Sequence, residues 1–179
     1  IDIWKYLKTH FEALKNIEIA SIAPEIGFRD SRRIEGLYKL TIDDMESNRH
    51  FDDVIAVFPR FYDMLSPDAN MDGDGWVEGK GYVGHIFEPV VDKRSFEIPY
   101  RSLLPVNVRN LIVAGRCISA DHVAESGTRA VSLCMMTGQA AGTAAALAVR
   151  DGLSPEKIKI RELQNLLINQ KIKLPVDIG

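Results

Sequence analysis

The predicted fold depends on residues 108–150, which read VRNLIVAGRCISADHVAESGTRAVSLCMMTGQAAGTAAALAVR. Residues 111–115, LIVAG, form a continuous apolar run that ends in glycine. Such a run predicts a strand buried on both faces of a parallel or mixed sheet. Residues 128–150 are nearly all apolar or small, with Gly138 and Gly142 four residues apart, which predicts one long buried helix. The stretch therefore predicts a strand, a loop and a helix within an α/β or α+β fold.

The junction between this strand and helix has features of an anion-binding site. In doubly wound folds, ligands bind outside the carboxyl ends of the strands. Gly115 permits close backbone approach at that point, and Arg116 adds a cation. The amino end of the helix, where Arg129 lies, carries the positive end of the helix dipole. Ser126 or Thr128 is available to cap the helix.

A membrane-spanning helix is the alternative interpretation of residues 128–150, since about 20 mostly apolar residues is the spanning length. The run contains Ser132, Thr137, Gln139 and Thr143, and alanine dominates its apolar part. Membrane insertion of such a segment is unfavourable. The composition therefore favours a buried core helix and no membrane partner.

The composition of the 179 residues, 46% hydrophobic and 26% charged, is that of one globular domain or of two small pieces of larger domains. A net charge of −3 gives no electrostatic reason to expect a nucleic-acid partner. The two cysteines, Cys117 and Cys134, fit neither a disulfide framework nor a metal cluster, and no metal site is predicted. The first residues contain no initiator Met and no signal sequence, which indicates a chain cut from a longer one.

Secondary structure is also predicted on either side of the central stretch. Apolar spacing predicts an amphipathic helix over residues 2–15 that packs on a core. Alternation predicts a half-buried strand over 33–40, a capping pattern at Thr41 and Asp44 predicts a helix over 42–48, and an apolar run predicts a strand over 54–58. Short edge strands are predicted over 76–105, and a terminal helix after Pro155. Three parts result, residues 1–105, 106–152 and 153–179.

The acidic segment at residues 68–79 resembles the opening of a calcium loop, D-x-[DN]-x-[DN]-G. The match fails at the twelfth position, where Gly79 replaces the bidentate Glu and Glu78 comes one place early. An acidic surface turn explains the segment without a cation. A calcium-binding, carbohydrate-associated module built on this turn remains the alternative.

Two longer segments carry a resemblance to a known family. Residues 26–41, IGFRDSRRIEGLYKLT, and residues 96–149, FEIPYRSLLPVNVRNLIVAGRCISADHVAESGTRAVSLCMMTGQAAGTAAALAV, resemble the carboxyl-terminal half of the FAD-dependent oxidoreductases found widely in bacteria. The resemblance is collinear over residues 15–170. In that family an amino-terminal dinucleotide fold carries a G-x-G-x-x-G turn, and that fold is expected to lie outside this sequence. The resemblance therefore implies the last strand and helix of a Rossmann-like FAD-binding domain, a mixed β portion of a substrate domain, and an amino-terminal half as partner.

The resemblance also implies roles for particular residues. The reaction would be hydride transfer between a small organic substrate and FAD, and a homo-oligomer is possible. Arginines at the mouth of the strand over 33–40 are either solvated or hold an anionic group. The implied substrate-side and catalytic residues are Arg29, Arg32, Tyr100 and His122, with Glu125 as a further proton acceptor. The implied cofactor-binding residues are Gly115, Arg116, Ser119, Arg129, Ser132, Gly138 and Gly142. A noncatalytic domain that binds no FAD remains the second alternative.

Overall fold

The computed structural model describes residues 2–25, 27–29, 32–59, 75–77, 81–83 and 95–176, with the backbone alone for 75–77 and 81–83. Within these ranges the fold mixes helices with short antiparallel strand pairs, an α+β arrangement. The helices are α1 (Asp2–His10), α2 (Ile42–Glu46), α3 (His122–Thr128), α4 (Val131–Asp151) and α5 (Ile160–Asn169). The strands are β1 (Val54–Pro59), β2 (Gly75–Val77), β3 (Gly81–Val83) and β4 (Ser95–Pro99).

The two strand pairs are β1 with β4 and β2 with β3, and both are antiparallel. In the first pair Val57 lies opposite Glu97 and Phe58 opposite Phe96, with an irregularity in register between Val54 and Ala56. The apolar run that forms β1 is buried along its first half, as expected of a strand covered by helices. The predicted strand over 54–58, closed by Pro59, is confirmed.

The hydrophobic core lies between the β1–β4 pair and helices α4 and α5. Residues from all three predicted parts contribute to it, among them Ile55, Leu133 and Leu163. Gln164 on α5 is fully buried, and its side-chain amide donates to the carbonyl oxygens of Asp52 and Val54 at 2.8 and 3.1 Å. These bonds fix the predicted terminal helix against β1 and satisfy the buried amide nitrogen of Gln164.

The prediction of a buried strand over residues 111–115 is wrong. Residues 111–114 have no strand conformation, and Leu111 is exposed. One backbone bond, from the amide of Val113 to the carbonyl of Leu103 at 2.8 Å, holds the segment. Among the described residues, the strand pairs are β1–β4 and β2–β3, and neither pair includes residues 111–114. The apolar run therefore forms no ladder with another strand.

The predicted strand over 33–40 is replaced by a segment that makes two isolated bridges, Gly36 with Pro105 and Leu40 with Ala120. Its amides donate to carbonyl oxygens scattered over residues 101–119 rather than to one continuous strand. The alternating pattern therefore predicted burial on one face correctly, but it did not identify the hydrogen-bonding partners.

The long helix is confirmed, but the prediction that it is buried all round is wrong. Its inner face is buried against the core and its outer face is exposed, with Val131 77% and Val149 84% exposed. The outer residues recur at alternating spacings of four and three: Val131, Met135, Gly138, Gly142, Ala145 and Val149. By length and composition α4 is also able to cross a membrane, a test that core helices pass as well. Gly152, in the left-handed region with φ of 62°, ends it as expected.

The helix preceding α4 is separate from it. Ser126 and Thr128 lie within α3, where their hydroxyls donate to the carbonyls of Val123 and Glu125, so neither caps α4. Asp121 caps α3 instead, with its Oδ1 accepting from the amide of Ala124 at 2.7 Å. Its Oδ2 accepts from the amide of Ile42 at 2.9 Å, at the beginning of α2. One carboxylate thus serves the amino ends of two helices.

The first two predicted helices have different outcomes. The capping box of α2 is present, with Thr41 and Asp44 exchanging hydrogen bonds. Helix α1 forms where the spacing predicted a helix, but it buries no residue, and Ile3 is 77% exposed. In this helix the indole Nε1 of Trp4 donates to the carbonyl oxygen of Ile17 at 3.2 Å. The expectation that α1 packs on the core is therefore wrong for the described part of the chain, whose core lies elsewhere. Of the calcium-like segment 68–79, residues 75–77 form β2, and the rest lies outside the described residues.

Candidate functional site

A cavity of about 650 Å³ lies where the turn at Gly115–Cys117 meets the end of α3 and the beginning of α4. Segment 27–29 borders it from the other side. Its lining combines guanidinium groups with an apolar wall: Arg29, Arg116, Ser126, Arg129, Ala130, Val131, Cys134 and Met135. Three cations next to apolar carbon suit a ligand that has both anionic and apolar parts.

The turn that carries Arg116 is held on α4 by its backbone. Gly115 has a φ of 77°, which favours glycine, and its amide donates to Oγ1 of Thr137 at 3.0 Å. A Cβ atom at Gly115 would lie 3.8 Å from both Cβ and Sγ of Cys134, an ordinary contact. The turn at Gly115 therefore lies on α4, although the strand predicted before it is not present. The close backbone approach to a ligand at this glycine stays a prediction.

Cys134 lies in the cavity wall as a neutral thiol. Its Sγ donates to the carbonyl oxygens of Arg129 and Thr128, at 3.6 and 3.7 Å. Burial raises the pKa of the Cys134 thiol, and the nearby charge of Arg116 opposes this only in part. A thiol with a raised pKa is a weak nucleophile at neutral pH, so Cys134 is not expected to react there.

A buried carboxylate lies behind the cavity. Glu125 is 1% exposed, and its Oε2 lies 3.7 Å from Nη1 of Arg129 and 3.8 Å from Nη1 of Arg33. Ion pairs of this kind compensate a charge that would otherwise be costly to bury. From the sequence, Glu125 was expected to act as a proton acceptor, and its link to the two arginines was missed. The spacing of four residues between Glu125 and Arg129 on a helix was the available signal.

Of the predicted cofactor-binding residues, the structure brings Arg116 and Arg129 together at the cavity, with Gly115 directly before Arg116. Ser132 is exposed and does not line it. Ser119 is buried against Gly36. A Cβ atom added at Gly36 would lie 2.6 Å from Cβ of Ser119.

The two helix glycines lie away from the cavity. Gly138 and Gly142 are on the outer face of α4, where a Cβ atom at either position would meet nothing within 4 Å. Gly142 borders a second cavity of about 390 Å³ between α4 and α5. Within the described part of the chain, therefore, neither glycine is needed for close packing.

The predicted catalytic residues are dispersed. Arg29 lines the cavity, Arg32 is exposed, and His122 is exposed at the first position of α3. Tyr100 is buried in the core, where its hydroxyl donates to the carbonyl of Pro155 at 3.1 Å. Burial raises the pKa of the Tyr100 hydroxyl well above its usual range, so it remains a neutral phenol.

A second polar cluster surrounds Tyr38. Its hydroxyl donates to Asp44 at 2.9 Å, and the guanidinium groups of Arg49 and Arg101 lie 5.6 and 5.4 Å from its ring centre. Arg101 in turn forms two side-chain bonds with Asp53, at 2.9 and 3.1 Å. These contacts pair the cations with carboxylates, an arrangement typical of structural anchoring.

Comparison with known proteins gives one match. The family model described as FAD dependent oxidoreductase matches residues 2–167, a range that includes every residue lining the 650 Å³ cavity. No curated protein and no solved structure matches the chain.

Proposed function

The chain belongs to the FAD dependent oxidoreductase family, and on this premise we propose that its arginine-lined cavity forms part of an FAD site. Family membership implies FAD use and oxidoreductase chemistry at the level of the family. The finer proposal is hydride transfer between FAD and a small organic substrate. FAD, when bound, supplies the hydride chemistry, and the protein supplies binding, orientation and electrostatics.

The observation that carries this proposal is the convergence of Arg29, Arg116 and Arg129 on one cavity. The pyrophosphate of FAD carries two negative charges, and guanidinium groups bind phosphate oxygens with fixed, paired donors. We assign Arg116, next to the turn at Gly115, to the ribityl or pyrophosphate portion. The apolar wall formed by Val131 and Met135 suits the less polar ring portion.

Arg129 is assigned to the pyrimidine edge of the flavin ring. Negative charge develops there on reduction, and a fixed cation stabilises that charge without reorganisation. Arg29 lies across the cavity on segment 27–29, and we assign it to the substrate side. A carboxylate or sugar oxygens on the substrate would suit this group.

The outer face of α4 supports a second part of the proposal, a Rossmann-like domain completed by further polypeptide. Val131, Met135 and Val149 leave an apolar stripe exposed, and residues 111–114 lack a neighbouring strand in the described part of the chain. An amino-terminal half with a G-x-G-x-x-G turn would supply both a cover and strand partners. A homo-oligomer that covers the same stripe is the alternative occupant.

The experiment that tests the proposed function is purification of the natural full-length polypeptide and measurement of its flavin absorbance, followed by titration of the flavin-free protein with FAD. We expect either flavin that copurifies or saturable FAD uptake. A colourless protein that takes up no added FAD would contradict the proposal, whatever its oligomeric state.

A further inference from the structure

We infer that Glu125 is a positioning residue, which fixes the guanidinium of Arg129 in the cavity wall so that it is preorganised for the flavin. This inference rests on the proposed FAD site and concerns a residue that does not itself line the cavity.

The carboxylate is fixed by the backbone of α3. Asp121 caps the helix through the amide of Ala124, and the amide of Glu125 donates to the carbonyl of Asp121 at 3.0 Å. Glu125 is therefore in the first turn, and its side chain is 1% exposed. A carboxylate at this depth requires nearby cations, because burial without them is costly.

In the described part of the chain, the two arginines that form ion pairs with it come from different segments. Arg129 follows α3, is 14% exposed and lines the cavity, whereas Arg33 belongs to the segment that crosses behind it. That segment is fixed next to the turn by a bond from the amide of Ile34 to the carbonyl of Cys117 at 2.9 Å. Glu125 therefore joins three pieces of backbone around one cavity wall.

Removal of the Glu125 charge has two effects of opposite sign. As a negative charge, Glu125 lowers the positive potential in the cavity, so its loss alone would strengthen attraction of an anion. Glu125 also lies between the guanidinium groups of Arg33 and Arg129, and its negative charge offsets the repulsion that would displace Arg129. Because both ion pairs involve the same oxygen atom, loss of the carboxylate leaves Arg33 and Arg129 facing each other. We expect the positional effect to dominate, since preorganised donors lose most of their value when displaced.

The test uses the natural full-length protein and the isosteric, neutral variant Glu125→Gln. Two quantities are measured, the Kd for FAD by titration of the flavin-free protein and the midpoint reduction potential of the bound flavin. We expect about tenfold weaker FAD binding and a lower reduction potential, since a displaced guanidinium no longer favours the reduced, more negative flavin. An unchanged or higher potential with unchanged or tighter binding would overturn the inference.

A double-variant cycle separates positioning from general destabilisation. If Glu125 acts through Arg129, the variant Glu125→Gln/Arg129→Gln should bind FAD as Arg129→Gln does, whereas independent effects would add. Additive losses would therefore also overturn the inference. Where Glu125→Gln fails to fold, Glu125→Asp keeps the charge but shortens its reach, and wild-type affinity and potential in that variant would count against positioning.

The matched control is Glu97→Gln. Glu97 is a mostly buried glutamate, 13% exposed, that pairs with His50 and lies outside the cavity lining. Its loss should lower thermal stability while the FAD Kd stays unchanged. Failure of the wild-type protein to bind FAD would instead contradict the proposed function, so the two failures are distinguishable.

Discussion

Gly115 and Thr137 are joined by a hydrogen bond in which the glycine amide donates to the threonine Oγ1 at 3.0 Å. Thr137 is 1% exposed, and its hydroxyl donates in turn to the carbonyl of Leu133 at 3.0 Å. The threonine hydroxyl thus serves as acceptor and donor at once, which attaches the turn before Arg116 to α4. Loss of the hydroxyl leaves the Gly115 amide without this acceptor.

Replacement of Thr137 by valine tests that attachment. Thr137→Val keeps the shape of the side chain but removes the hydroxyl, and we expect the free energy of unfolding to fall by about 1–3 kcal/mol. Thr137→Ser, which keeps the hydroxyl and loses a methyl group, is the control. Urea unfolding measures both variants, and a valine variant as stable as wild type would show that the bond contributes nothing.

Two glycines that look alike in sequence are expected to respond oppositely to alanine. At Gly36 a Cβ atom would lie 2.6 Å from Cβ of buried Ser119, so Gly36→Ala should lower stability by about 1–3 kcal/mol. At Gly142, in the interior of α4, a Cβ atom meets nothing within 4 Å, and alanine favours the helix by up to about 1 kcal/mol. Thermal unfolding of the two variants measures the contrast. Destabilisation by Gly142→Ala in the full-length protein would reveal a close neighbour on the outer face.

Arg116 should contribute to FAD affinity if the proposed site is correct. Arg116→Gln removes one cation from the cavity, and we expect about tenfold weaker FAD binding. Arg150→Gln is the matched control, because Arg150 lies at the far end of α4 and pairs with Asp151 and Glu162. FAD titration at constant ionic strength measures both, and equal affinities for the two variants would remove Arg116 from the site.

Because of Asp44, the free energy of unfolding should depend on pH in the acidic range. Burial alone would raise the pKa of its carboxyl, but hydrogen bonds from Thr41, Tyr38 and Arg49 together hold that pKa below its ordinary value of 3.8. A carboxyl whose pKa is lower when folded stabilises the protein above pH 3.8, and this contribution disappears as the pH falls through the folded value. Asp44→Asn should therefore be less stable than wild type at neutral pH, with the difference shrinking in acid. Urea unfolding across pH measures it, and a constant difference would contradict the assignment.

Local signals in the sequence predicted the elements whose causes are local. The capping pattern at Thr41, the apolar run ending at Pro59 and the periodicity of α4 and α5 each correspond to an element in the structure. In these cases the hydrogen-bond partner or the break lies within a few residues. Arg116 and Arg129 were predicted to bind a cofactor from their places beside a glycine turn and a helix amino end. Both line one cavity, and their cofactor-binding role stays a prediction.

The errors concern partners distant in sequence. LIVAG has the composition of a buried strand, but strand pairing depends on a neighbour that composition does not specify. The outer face of α4 is apolar yet exposed. Hydrophobicity predicts that another surface packs on a helix face, but it does not identify that surface. The ion pair of Glu125 with Arg33 was missed for a related reason, since Arg33 reaches Glu125 from a segment far away in the sequence.

The shared cap at Asp121 has a consequence for how the protein opens. Its two carboxylate oxygens accept from Ala124 in α3 and from Ile42 in α2, positions separated by 79 residues in the second case. Fraying of either helix end therefore disturbs the hydrogen bonding of the other. The two helix starts should behave as one cooperative unit, with their amide protons exchanging with solvent at similar free energies of opening.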